Sequence, residues 1–224
     1  IRIEGSTGTL LTQRTANVPS GGTATLFDSF DADTSTAPNQ SASSLLVRAV
    51  LGAGLRGKQL GIVGYGAIGQ AVAERGRAFG MRIAYASRSP KADAQAEAMP
   101  LDRLLATSDV VSLHCPLTPE TTHLIDAAAL ARMKRSAFLI NTSRGPVVDE
   151  KALAWALRTR LIAGAGLDVF EKEPVVEPEL LALDNVLLLP HMGSGTVETR
   201  TAMANLAADN VEAVLAGRTP LTRV

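Results

Sequence analysis

Three side chains able to share the work of reducing a carbonyl each follow an apolar run in this 224-residue chain. Arg144 comes directly after "AFLINTS", Glu173 lies a few residues beyond Asp168 in "IAGAGLDV", and His191 ends "NVLLLPH". Delivery of a hydride to a carbonyl carbon builds negative charge on its oxygen. The step needs a proton donor that works near neutral pH, and His191 is the candidate. A carboxylate beside it favours the imidazolium and holds the ring, a role open to Glu173. Arg144 offers a planar, permanent charge for a substrate carboxylate and a polarised carbonyl. The combination suits a 2-keto acid. The plainer alternatives are a loop brace for Arg144, a solvated turn for Glu173 and a satisfied core position for His191.

Ligands of open α/β sheets bind beyond the carboxyl ends of parallel strands, so the elements behind these residues have to be such strands. From Leu60 onward, short apolar runs ("LGIVG", "RIAYAS", "DVVSLHC", "AFLINTS", "IAGAGLDV", "NVLLLPH") alternate with helix-like stretches ("AIGQAVAERGRAFG", "LDRLLATS", "DAAALARM", "DEKALAWALRTR"). Near-continuous apolar runs read as buried parallel strands, and their alternation with helices implies βαβ crossovers. The expected class is α/β, a Rossmann-type doubly wound parallel sheet with a short atypical N-terminal segment. We expect that segment over residues 1–52, a dinucleotide-binding domain over 53–195, and a C-terminal helix and tail over 196–224. "VETRTAMANLAADNVEAVLAG" reads as a long amphipathic helix capped by Gly217. "SASSLLVRAVLG" reads as a short helix with Leu45, Leu46, Ala49 and Val50 on one face. Residues 1–44, rich in Ser, Thr and Gly, carry little apolar periodicity and allow either short strands or a loose arm.

The first strand runs into Gly64-Tyr65-Gly66-Ala67-Ile68-Gly69, a GxGxxG that opens a helix. In this strand–turn–helix context Gly64 makes the turn and Gly66 lets backbone N–H groups reach a pyrophosphate. Gly69 allows close packing of helix on sheet, and the helix dipole favours the anion. An ordinary tight turn is the alternative. The second strand ends in Ser87-Arg88-Ser89 with no carboxylate to bind a ribose 2′-OH. Arg88 can pair with a 2′-phosphate, which favours NADP(H) and leaves NAD(H) possible.

Composition is ordinary for a globular chain: 46% hydrophobic, 20% charged, zero formal net charge. That balance carries no footprint for nucleic acid or an acidic membrane. No apolar run approaches the ~18 residues that span a bilayer, and no signal peptide is visible. The lone Cys115 fits a reducing compartment, so cytoplasm is the expected location. The start at Ile1 reads as a trimmed or partial N-terminus. No metal site is expected. His114, His123 and Cys115 read as structural, and Glu150 as a first-turn charge on its helix.

Taken together, "GIVGYGAIGQAVAERGRAFGM", "HCPLTPETTHLID", "INTSRGPVVDEKAL", "GAGLDVFEKEP" and "LPHMGSGTVETR" resemble successive signatures of the D-isomer-specific 2-hydroxyacid dehydrogenases, nearest the glyoxylate/hydroxypyruvate reductase branch. The resemblance runs from about Gly54 to the C-terminus. It implies that Arg144, Glu173 and His191 are catalytic and that Asp168 lies on the nicotinamide carboxamide side. It also puts Ala67, Ile68, Pro116, Thr142 and Ser143 along the cofactor, and we assign Gly193 and Ser194 there too. A small 2-keto or 2-hydroxy acid substrate and a homodimer are further implications.

Members of that family begin with a substrate-binding lobe of their own, and residues 1–50 do not resemble it. We therefore expect the lobe to be missing or replaced. Two other functions stay open: a cofactor-binding sensor or scaffold without useful turnover, and another Rossmann dehydrogenase of the formate type.

Overall fold

The computed structural model describes residues 54–89 and 95–222, together with four short strands ahead of them. The chain divides into two compact units, Ile1–Gly54 and Leu55–Val224.

In the first unit β1 (Arg2–Glu4) pairs antiparallel with β2 (Leu10–Gln13), and β3 (Leu26–Phe30) pairs antiparallel with β4 (Leu45–Ala49). Strand β4 corrects the helix expected from "SASSLLVRAVLG". So short an apolar run satisfies either period, and here the partner strand Leu26–Phe30, distant in sequence, supplies the backbone hydrogen bonds. The rest of residues 1–53, with the expected substitute for a substrate lobe, lies outside the described residues.

The second unit is built on a parallel sheet of seven strands: β5 (Gln59–Val63), β6 (Arg82–Ala86), β7 (Ala96–Ala98), β8 (Val110–Leu113), β9 (Phe138–Asn141), β10 (Gly164–Leu167) and β11 (Val186–Leu188). Their spatial order is β11-β10-β9-β8-β5-β6-β7. The order reverses between β5 and β8, which is the doubly wound arrangement with its switch point at the glycine-bearing strand. Alternation along β5 fills two cores. Leu60 and Ile62 join Tyr65, Ala73 and Ile83 in one cluster, while Val63 joins Leu104, Val111 and Leu139 in the other. Helices α1 (Ala67–Ala78), α2 (Leu101–Thr107), α3 (Ala127–Arg132), α4 (Glu150–Arg158), α5 (Pro178–Leu181) and α6 (Val197–Leu215) complete the chain. Side chains cap three of them: Asp126 accepts from Ala129 N–H, Asp149 from Ala152 N–H, and Thr196 from Thr199 N–H. Gly217, at φ 70°, follows α6. Only Ala213 of α6 is buried, and its apolar Val197, Met203, Leu206, Val211 and Val214 are exposed.

At the amino ends of the strands, Asp109 holds three elements together. Gln59 N–H donates to its Oδ2 at 2.8 Å, Lys134 Nζ lies 3.1 Å from Oδ1, and Lys58 Nζ lies 3.9 Å from the same oxygen. Burial pushes this carboxyl up, but the Gln59 N–H and the two ammonium groups outweigh it and hold the group below its ordinary value. A depressed carboxyl stabilises the fold above its unfolded pKa, and that contribution is lost as pH falls through the folded value. Thermal unfolding followed against pH is therefore expected to show a midpoint that drops steeply below roughly pH 4, with a shallower drop in Asp109→Asn. Identical acid limbs would refute this role.

Candidate active site

Strand β9 ends in Asn141, 1% exposed, whose side chain shapes the turn that carries Arg144. Its Oδ1 accepts from Ser143 N–H at 3.1 Å and from Ser143 Oγ at 2.9 Å, and its Nδ2 donates to Arg144 O at 3.0 Å. This is the way a strand-end Asn mimics a backbone turn. Arg144 is exposed, with Nη1 donating to Ser143 O at 2.7 Å. Thr142 is exposed and Ser143 half-buried in the same turn. A 3₁₀ turn, Gly145–Val147, follows.

Asp168 follows β10 and is 4% exposed. Both of its oxygens are taken by the loop after β11: Met192 N–H donates to Oδ1 and Gly193 N–H to Oδ2, each at 2.8 Å. A buried carboxylate is tolerable when backbone donors satisfy it, and here the donors belong to the residues next to His191. His191 itself has φ 52°, in the left-handed region, which costs a non-glycine residue on the order of 1 kcal/mol and needs support from its surroundings. The Asp168 clamp lies on one side of it. On the other, His191 Nδ1 lies 2.8 Å from Glu173 Oε2.

Glu173 Oε1 accepts from Phe170 N–H at 3.1 Å. The contact with His191 and the Phe170 N–H hold the Glu173 carboxyl below its ordinary range, and the nearby charge of Arg144 adds to this. An ionised Glu173 can only accept, so Nδ1 of His191 donates and Nε2 is left free. Glu173 and His191 thus pair at the carboxyl rim of the sheet, on segments following β10 and β11, and the charge of Arg144, on the segment following β9, bears on Glu173. Arg144, Glu173 and His191 are all open to solvent.

The glycine-rich turn lies at the switch point. Gly64 has φ 91°, and a Cβ there would come within 2.6 Å of Cys115 N. At Gly66 a Cβ would meet nothing within 4 Å, whereas at Gly69 it would overlap Gly64 O. Ala67 and Ile68 head α1, exposed, and no side chain caps that terminus. Beside the turn lies a cavity of about 570 Å³, between the carboxyl ends of β5, β6 and β8. Gly64, Gly66, Ser87, Arg88, Ser89 and Pro116 line it. Ala67, Ile68, Gly69, Thr142, Ser143, Asp168, Gly193 and Ser194 do not. Burial pushes the Cys115 thiol up in the cavity wall and His114 down, with His114 Nε2 2.8 Å from Ser112 Oγ.

The contacts of three further residues were not legible in the sequence. Asn141 carried a signal, an Asx residue at a strand end. Glu120 reaches the cavity wall from another segment, its carboxyl held down by the Thr118 hydroxyl, its own backbone N–H and the facing charge of Arg88. Glu150 turns its carboxylate inward rather than to solvent.

Residues 35–193 match the family model described as "D-isomer specific 2-hydroxyacid dehydrogenase, NAD binding domain". A glyoxylate reductase of Thermococcus litoralis is 54% identical over 174 residues, 76% of this chain and 53% of the relative. A solved glyoxylate reductase from Paecilomyes thermophila superposes with TM-score 0.75 at 44% identity, covering 78% of this chain and 54% of that one. The NADPH-dependent glyoxylate/hydroxypyruvate reductase of Sinorhizobium meliloti, solved with NADP and malonate, gives TM-score 0.76 at 41% identity over 79% of this chain and 56% of its own. The chain spans about half the length of the curated relatives it matches. The family model matches well over half of the chain, and the protein belongs to the D-isomer-specific 2-hydroxyacid dehydrogenase family.

Proposed function

We propose that the protein reduces a short 2-keto acid, glyoxylate or hydroxypyruvate, to the D-2-hydroxy acid, using NADP(H) in preference to NAD(H). The observation that carries this reading is Glu173 bound at 2.8 Å to His191 within the influence of Arg144. The names of the reductase relatives support the substrate class.

The residues present fit a dinucleotide. The N-terminus of α1 has no side-chain cap, the space at Gly66 is open, and the cavity beside it has room for part of such a ligand. When bound, the cofactor supplies the hydride. Ala67 and Ile68 would hold the pyrophosphate, Ser87, Arg88 and Ser89 the 2′-phosphate, and Pro116, Thr142, Ser143, Gly193 and Ser194 the nicotinamide half. Arg144 binds the substrate carboxylate and polarises its carbonyl. The imidazolium of His191 gives its Nε2 proton to the carbonyl oxygen, and Glu173 orients the ring through Nδ1. Asp168 holds the loop that aims His191. Residues 53–195 serve as the cofactor domain, the protein pairs as a homodimer, and it works in the cytoplasm.

The test is NADPH absorbance with glyoxylate and with hydroxypyruvate. Oxidation with either supports the proposal; tight NADPH binding with no oxidation by either overturns it and favours a sensor or scaffold. For the cofactor, Arg88→Asp replaces attraction for a 2′-phosphate by repulsion. The NADPH-to-NADH ratio of kcat/KM is expected to fall at least roughly tenfold, about 1.4 kcal/mol. An unchanged ratio refutes the role of Arg88.

A further inference from the structure

We infer that Glu150 is a positioning residue for the Glu173–His191 pair, an inference that rests on the reductase reading above. Glu150 opens α4, where a first-turn carboxylate usually faces water and interacts with the helix dipole. Here it is only 6% exposed, and it reaches away from the helix to two backbone donors. Its Oε1 accepts from Glu171 N–H at 2.6 Å and its Oε2 from Glu177 N–H at 3.3 Å. Those two residues bracket Glu173 in the chain, so one carboxylate closes the segment that carries it from both ends. The clasp is reciprocal: Glu171 Oε1 accepts from Glu150 N–H at 2.9 Å and lies 3.3 Å from His123 Nε2.

The bracketed segment has no helix or strand of its own between β10 and α5. Within it a single backbone turn, Val175 N–H to Lys172 O at 2.9 Å, carries Glu173, and the side-chain ties hold the two ends of that turn in place. Burial pushes the Glu150 carboxyl up, the two N–H donors oppose this, and the carboxylates of Glu171 and Glu177 add to the upward push. Asp149, Lys151, Lys172 and His123 line the same cavity of about 480 Å³. The restraints run in series, from α4 through Glu150 to the segment ends, and from Glu173 to Phe170 N–H and His191.

Glu150→Gln tests this in the full chain. A carboxamide accepts at one oxygen and turns its NH2 toward the other N–H, which releases one end of the segment. The kcat for 2-keto acid reduction is expected to fall about tenfold, since small misplacements of acting groups cost rate steeply. KM should change less than about twofold and the Kd for NADPH should not change. The titration of Glu173, followed by carboxyl ¹³C NMR, is expected to move up toward the ordinary range as its contact with His191 loosens. His191→Gln is the control that must move the same titration. If the control moves it and Glu150→Gln does not, the positioning role is overturned while the pair stands. If the control does not move it either, the pair fails and both readings go with it. A loss of thermal stability with kcat and the Glu173 titration intact reduces Glu150 to a structural brace and also overturns the inference. Should the variant not fold, amide exchange in the unmodified protein decides. Glu171 and Glu177 are expected to exchange roughly 100-fold slower than a free peptide, and unprotected exchange at both sinks the proposal.

Discussion

His191→Gln is expected to lower turnover of glyoxylate or hydroxypyruvate by two or more orders of magnitude, about 2.7 kcal/mol in the barrier, the contribution typical of a positioned general acid. Gln keeps a donor of similar reach, so packing and the nearby backbone bonds to Asp168 are left largely alone. What it lacks is a transferable proton. The geometry makes the loss specific: Glu173 engages Nδ1 at 2.8 Å, and only Nε2 remains to serve the substrate. The Kd for NADPH is expected to stay within about twofold, because the cavity beside the glycine turn is lined by other residues. Stopped-flow or steady-state NADPH absorbance measures the first quantity and fluorescence titration the second. Turnover within fivefold of the parent would remove His191 from the chemistry, and with it the reading of the pair as a proton-delivery device.

The largest effect on stability is expected from Gly145→Ala. A Cβ at Gly145 would overlap the backbone carbonyl of Phe170 and lie 2.5 Å from Glu171 N. The obstacle is main chain, not the end of a flexible side chain, so no rotamer change relieves it. The Arg144 turn and the segment leading to Glu173 must separate. Overpacking of a rigid contact costs about 3 kcal/mol or somewhat more, which for a unit of this size lowers Tm by roughly 10 °C. Differential scanning calorimetry or urea unfolding checks this, and a Tm within 2 °C of the parent would show that the contact is softer than its geometry. Because Arg144 is the next residue and its charge bears on Glu173, activity measured below the new Tm is expected to fall as well.

Much of the fold was legible in the chain because buried parallel strands are covered on both faces and so read as unbroken apolar runs. Every residue of β5 is buried, and "LGIVG" announces that directly. Strand β7 was not legible: Ala96–Ala98 is three residues at the sheet edge, without a β-branched residue and too short for its alternation to stand out. Nor was α5, a four-residue turn of helix. At Leu45–Ala49 the same letters served two periods, and the choice between them lay with a distant partner strand.

The candidate site divides in the same way. Arg144, Glu173 and His191 could be named from residue type and from position after a strand, since parallel topology delivers strand ends to one rim whatever the details of packing. Asp168 could be placed near that rim too, but its grip on Met192 and Gly193 could not be read, because it depends on where a loop over twenty residues later returns. The approach of Glu120 to Arg88 and the inward turn of Glu150 were hidden for the same reason. By itself the sequence determined the longer buried elements of the parallel sheet and the chemical groups at their ends, since periodicity, glycine and residue type act over a few neighbouring positions. Only the tertiary structure decided which carboxylate meets which donor, because hydrogen bonds depend on fractions of an ångström between segments whose distance apart in the chain carries no such information.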